Sequence, residues 1–222
     1  MAHSHGHIAR DNSYTPNKRN IIISIILNFT ITIAEFIGGI LSNSLALLSD
    51  ALHNLSDTFA IFISYLAIII GQKASTRKNT FGYKRVEILA ALLNALVLII
   101  ISIYLFYEAY QRLIDPEPVK GMTMMVVAVI GLLANLVSVV LLNQDSKKSL
   151  NIKAAFIHLL GDTLSSVGVI VASLLIHFYQ LYWVDPLLTF IIGIFILRGT
   201  YGILKETIEI LMQASPGEID IA

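Results

Sequence analysis

The sequence predicts an all-α, polytopic membrane protein with six transmembrane helices and both termini in the cytoplasm. Three observations carry that expectation. The chain is 56% hydrophobic and only 14% charged, where an average soluble domain is about 25% charged. Its mean hydropathy is +0.76. Six windows, at 21–41, 46–70, 86–107, 121–142, 154–177 and 184–204, are apolar over the roughly 20 residues that a helix needs to cross hydrocarbon.

Taken in order, residues 1–20 form a polar cytoplasmic tail containing "HSHGH", with His3, His5 and His7. The six-helix bundle then occupies 21–206, and 207–222 form a cytoplasmic stub. No proline falls in the middle of a window. Pro16, Pro116, Pro118, Pro186 and Pro216 lie in the tails, one loop and one helix start. Helices satisfy their own backbone polar groups, which hydrocarbon cannot do. Orientation comes from the basic residues. Arg10, Lys18 and Arg19 precede the first helix. Lys73, Arg77, Lys78, Lys84 and Arg85 join the second to the third, and Lys147, Lys148 and Lys153 join the fourth to the fifth. The alternate loops carry only Arg112 and Lys120. Tyr107, Tyr110, Tyr179, Tyr182 and Trp183 cluster at the outer end, as an interfacial aromatic belt does.

Other features narrow the function. The 15 basic and 15 acidic residues cancel, so bulk charge suggests no nucleic-acid partner. There is no cysteine, which removes disulfides, thiolate metal sites and a cysteine nucleophile. Gly38 and Gly39 suit close helix packing. Asn28, Asn94 and Asn135 suit hydrogen bonds between helices.

Ionisable groups inside spans are costly and usually face the bundle interior. Here they are Glu35, Asp50, His53, Asp57, His158 and Asp162. "LLSDALHNLSD" holds His53-x-x-x-Asp57, and "AAFIHLLGD" holds His158-x-x-x-Asp162. Residues four apart lie about 40° around the helix and about 6 Å along it, so each pair projects from one face. Two such helices packed face to face bring two imidazoles and two carboxylates together. That set suits a tetrahedral divalent metal, Zn²⁺ first, with Co²⁺, Cd²⁺ or Fe²⁺ as other candidates. Mg²⁺ and Ca²⁺ prefer oxygen ligands alone. The two carboxylates cancel the ion's charge.

Asp50 shares this face about 10 Å toward the outside. It is a relay on the outward path, a carboxylate in a wet helix end, or a partner to a nearby polar group. Glu35 is a single buried acid with a structural or proton-coupling role. The His3, His5 and His7 tract gathers metal weakly, or is incidental.

Three other classes compete. A membrane haem protein could use His53 and His158 as axial ligands, but leaves the two Asp unexplained. An intramembrane aspartyl protease would leave the two His unexplained. A passive divalent-cation channel is the nearest rival, although a four-ligand site binds too tightly for fast conduction.

"SNSLALLSDALHNLSD", "FGYKRVEILAALLNAL" and "AAFIHLLGD" closely resemble the cation diffusion facilitator family, in the zinc-transporter branch that includes bacterial cobalt–zinc–cadmium exporters. The resemblance covers most of residues 20–220. It implies that His53, Asp57, His158 and Asp162 form the transport site. It also implies a homodimer in the bacterial inner membrane, exporting Zn²⁺ against protons. Members of this branch often carry a histidine-rich loop between helices four and five, whereas "NQDSKKSLNIK" has none. Some bind metal between helices two and three, where "GQKASTRKNT" offers no ligand. Most continue into a cytoplasmic ferredoxin-like domain, which would start at the 207–222 stub. Without it, the dimer would rest on the membrane helices.

Overall fold

The computed structural model describes residues 18–71, 85–147 and 150–212. Six helices follow in order: α1 (Lys18–Ser42), α2 (Leu45–Gly71), α3 (Arg85–Ile114), α4 (Gly121–Ser146), α5 (Leu150–Tyr179) and α6 (Val184–Leu211). Each of the six expected windows falls within one of these helices. Among the described residues, five helices are long and apolar enough to cross a membrane, and α2 adds 27 residues over the remaining window. The His3, His5 and His7 tail, the basic loop 72–84 and residues 213–222 lie outside the described residues.

Helix ends depart from the hydropathy windows for identifiable reasons. The third window stops as Glu108 enters, but α3 continues to Ile114. Glu108 pairs with Arg112 one turn on, at 3.2 Å, so polar residues here extend the helix beyond hydrocarbon. α6 likewise runs on to Leu211.

The turn between α1 and α2 has only two residues, so the two helices must pack antiparallel. Asn43 adopts φ 60° there, a left-handed conformation that Asn tolerates better than most side chains. Its carbonyl and amide oxygens accept from Arg112 at 2.8 and 2.9 Å. α1 packs between α2 and α4, and α4 packs along α5. α3 pairs with α6, and this pair closes against α2 and, through α6, against α5. α2 and α5 touch little, and they carry the two His-Asp pairs.

Close approach in the first layer depends on glycine. A Cβ on Gly38 would lie 2.6 Å from Val127, and one on Gly39 would lie 2.8 Å from Leu48. We expect Gly38→Ala to destabilise the protein by about 1–3 kcal/mol, the usual cost of overpacking, seen as a lower midpoint in detergent thermal melts. An unchanged midpoint would mean that Val127 moves aside freely.

The molecule is apolar outside and buries polar groups among its apolar core residues. Ile100, Val140 and Phe178 are 66%, 67% and 69% exposed. Glu35, Asp50, Asn54, Asn135, Asp162 and Asp185 are buried. That arrangement is what a lipid solvent selects. Tyr107, Tyr110, Tyr179 and Trp183 are exposed at one end of the bundle, as a belt requires, while Tyr182 packs partly buried against the core. Asn94 accepts from Ser56 across α2 and α3 at 3.0 Å, an interhelical bond of the expected kind. Asn135 differs, because neither atom of its amide has a partner, and the Asn28 side-chain oxygen also lacks one.

Candidate metal centre

His53 and Asp57 sit one turn apart on α2, and His158 and Asp162 one turn apart on α5. Asp57 and Asp162 lie within a turn of their helix midpoints, and His53 and His158 one to two turns from them. The helices bring the pairs together. His53 Nε2 is 3.7 Å from Asp57 Oδ2, and His158 Nε2 is 3.3 Å from the same oxygen. The two imidazole rings lie edge to face with centroids 5.7 Å apart. One ligand atom each from His53, Asp57 and His158 falls within 4.8 Å of the others.

These separations fit a tetrahedral ion. Ligand bonds of about 2.0 Å place neighbouring ligand atoms roughly 3.3 Å apart. Asp162 stands beside this trio, with Oδ2 3.5 Å from His158 Nε2. That oxygen is buried and has no hydrogen-bond partner. His53 Nδ1 is also buried without a partner. Asp57 Oδ2 occupies the space between the two imidazole nitrogens, where a haem plane would have to stand.

A cavity of about 680 Å³ opens onto this cluster between α2, α5 and α6. It reaches along α6 from Leu188 to Ile203, about 22 Å at 1.5 Å per residue. Its other walls, including Leu98, Ile192, Phe195 and Ile196, are mostly apolar, with Ser165 and Thr200 as polar exceptions.

Asp50 lines the same cavity, but it is 3% exposed and accepts from Ser165 Oγ at 2.9 Å. It therefore ties α2 to α5 and does not sit in a wet helix end. Glu35 lies on α1, where Asn54 Nδ2 approaches its Oε2 at 3.5 Å. It does not join the trio.

Sequence reasoning missed Asp185. This residue is fully buried in the first turn of α6 and bonds to the start of α2. Ser44 Oγ donates to its Oδ1 at 2.6 Å, Leu45 N–H to its Oδ2 at 2.8 Å, and Ala46 N–H to its Oδ1 at 3.3 Å. An acidic residue before proline at a helix start was the available signal, but its partner 140 residues away in sequence was not.

Comparison with known proteins places the chain as a whole. Residues 21–212 match the cation efflux transmembrane domain. The chain is 41% identical over 222 residues to the zinc transporter ZitB of Pectobacterium atrosepticum, covering 100% of this chain and 68% of that protein. It is 42% identical over 224 residues to a cadmium, cobalt and zinc/H(+)-K(+) antiporter of Bacillus subtilis, covering 100% of this chain and 70% of that one. To the metal cation efflux system protein CzcD of Cupriavidus metallidurans it is 42% identical over 220 residues, covering 99% and 68%.

Proposed function

Because the chain belongs to the cation efflux family, we propose that His53, Asp57, His158 and Asp162 hold the exported ion at the turning point of an antiport cycle. The protein is an integral membrane transporter of divalent metal ions and not an enzyme. Zn²⁺, Co²⁺ and Cd²⁺ are its substrates, exchanged for H⁺ or K⁺, as the names of its relatives state for them. The observation that carries the site is the convergence of His53, Asp57 and His158 ligand atoms within 4.8 Å, with the unpartnered Asp162 oxygen alongside.

The chemistry needs no covalent step. Metal binds neutral imidazole and ionised carboxylate, so protons and metal compete for the same atoms. Imidazole is the side chain whose charge changes between about pH 5 and 8. A site facing near-neutral cytoplasm therefore loads metal, and one facing a more acidic exterior releases it. Alternating access comes from helices rocking around the site, with α2 shifting relative to α5, because these two are held together only loosely. The termini face the cytoplasm, as the distribution of basic residues favours. Two copies form a homodimer through the membrane helices, and Asp50 serves the outward path.

Two measurements test the ligand set. Isothermal titration of Zn²⁺ into the purified protein should give one high-affinity site per chain, weakening as pH falls from neutral toward 5. Affinity that does not change over that range would remove His53 and His158 from the metal. The His53→Asp variant should shift competition toward the harder Mn²⁺, because oxygen replaces nitrogen in the set. An unchanged competition profile would count against His53 as a ligand.

A further inference from the structure

Next to the metal centre lies a second polar cluster that the transport site does not use. Glu35 on α1, Asn54 on α2, Gly131 on α4 and Ser166 on α5 meet at one point in the first layer. A Cβ built on Gly131 would lie 2.8 Å from Glu35 Oε1 and 3.7 Å from Ser166 Oγ. The absence of a side chain at Gly131 thus lets Glu35 Oε1 press against the α4 backbone, with Ser166 Oγ close by. From α2, Asn54 Nδ2 donates to Glu35 Oε2 at 3.5 Å, which leaves its Oδ1 without a partner. Asn135 follows one turn along α4 from Gly131.

These groups are short of partners. Glu35, Asn54, Asn135 and Ser166 are 1%, 1%, 1% and 2% exposed. Asn54 Oδ1, Ser166 Oγ and both amide atoms of Asn135 have no hydrogen-bond partner. Buried polar atoms normally find one, and leaving several unmade in one place is costly. Among the described residues, the charged groups whose fields reach Glu35 are Asp50 and Asp162, both acidic. Asp162 belongs to the metal centre and Asp50 is engaged by Ser165, so the cluster keeps one carboxylate and a set of neutral oxygens.

We propose that Glu35, Asn54 and Ser166, with Asn135 alongside, form a second cation site, built only of oxygen donors, for a monovalent alkali cation such as K⁺. Oxygen donors suit a hard cation, and amide and carbonyl oxygens replace the hydration shell of K⁺ in other membrane proteins. Without imidazole, the site does not favour Zn²⁺ or its neighbours. A single carboxylate matches one positive charge. A proton on Glu35 would satisfy one acceptor, whereas an alkali ion engages several oxygens at once.

The position couples the two sites. Asn54 directly follows His53 on α2, and Ser166 lies one turn beyond Asp162 on α5. A cation held here repels a divalent ion at the metal centre, so filling one site disfavours the other, and the coupling must be reciprocal. In this respect the inference rests on the exporter reading, since the monovalent ion is then the counter-ion of the exchange.

The test uses the purified full chain in lipid nanodiscs at neutral pH, with choline chloride holding ionic strength constant. Radiolabelled Rb⁺ is the probe for K⁺, and labelled Na⁺ is run in parallel. Saturable binding of Rb⁺ or Na⁺ is expected, displaced by unlabelled K⁺. Glu35→Gln should lower that binding by about tenfold or more, as loss of a charged partner does. Ser166→Ala should weaken it several-fold while the protein remains folded. A hydroxyl with only a structural role and no partner predicts no change in Rb⁺ binding on its removal. Zn²⁺ titration should remain near the wild-type value in both variants without K⁺, and added KCl should weaken Zn²⁺ binding in the wild type but not in Glu35→Gln. Absence of saturable Rb⁺ or Na⁺ binding in protein that binds Zn²⁺ overturns the proposal. So does binding that both variants leave intact, or a Glu35→Gln variant that alters only the pH dependence of Zn²⁺ transport. Alkali binding without Zn²⁺ binding would leave this site standing and sink the exporter reading instead.

Discussion

Asp57→Ala is expected to abolish metal export. Uptake of radiolabelled Zn²⁺ into inverted vesicles, driven by a pH gradient, should fall by more than about a hundredfold, since removing even an outer-shell partner costs 10–100-fold in metal affinity. The reason is geometric and electrostatic together. Asp57 Oδ2 is the one atom that approaches both imidazoles, at 3.7 and 3.3 Å. Its loss removes the atom that joins α2 to α5 at the ion and half of the charge that neutralises it. Asp162→Ala should act similarly, because it removes the other half. Folding should survive both changes: Asp57 is half exposed to the cavity, and the Asp162 oxygen has no hydrogen-bond partner to lose. Helical circular dichroism and elution from a sizing column would check that. Normal Zn²⁺ uptake by both variants would rule out the ligand set.

The contrast between these residues and the rest of the molecule explains what the sequence could and could not disclose. The helices were legible because lipid imposes a length and a composition, and both appear in any window. The His-x-x-x-Asp pairs were legible because helical geometry fixes which face each residue takes. What joins distant helices was not. Asn54 reads as an ordinary polar residue beside His53, and Gly131 reads as one small residue among many. Only packing brings them to Glu35 and Ser166. Asn28 and Asn135 show the same limit from the other side. Their residue type suggested interhelical bonds, yet the packed neighbours leave their oxygens unmatched. Asp50 also changed character, since Ser165 on α5 reaches it only after α2 and α5 converge.

Asp185→Ala is expected to be the most destabilising single change outside the metal centre. The carboxylate is fully buried and accepts from the Ser44 hydroxyl and the Leu45 and Ala46 amides. Those amides belong to the open N-terminus of α2, whose first N–H groups have no partner within the helix. Ser44 caps one more, accepting from Leu47 N–H at 3.2 Å. Asp185 thus caps α2 from another helix, and its negative charge faces the positive end of the α2 dipole. Removing it strands up to three buried donors at about 1–3 kcal/mol each, for a loss of roughly 3–6 kcal/mol after relaxation. Thermal unfolding in detergent should show a large drop in midpoint. Asp185→Asn should lie between, because the amide keeps one accepting oxygen but turns two donors toward groups that are donors themselves. The consequence should reach the metal centre. α2 carries His53 and Asp57 two to three turns beyond the cap, so releasing its start from α6 lets that helix shift relative to α5. Zn²⁺ affinity should therefore fall in Asp185→Ala even at temperatures where the protein remains folded. Loss of stability with fully retained Zn²⁺ affinity would confine Asp185 to holding the bundle, and wild-type stability would show that water satisfies the α2 start without it.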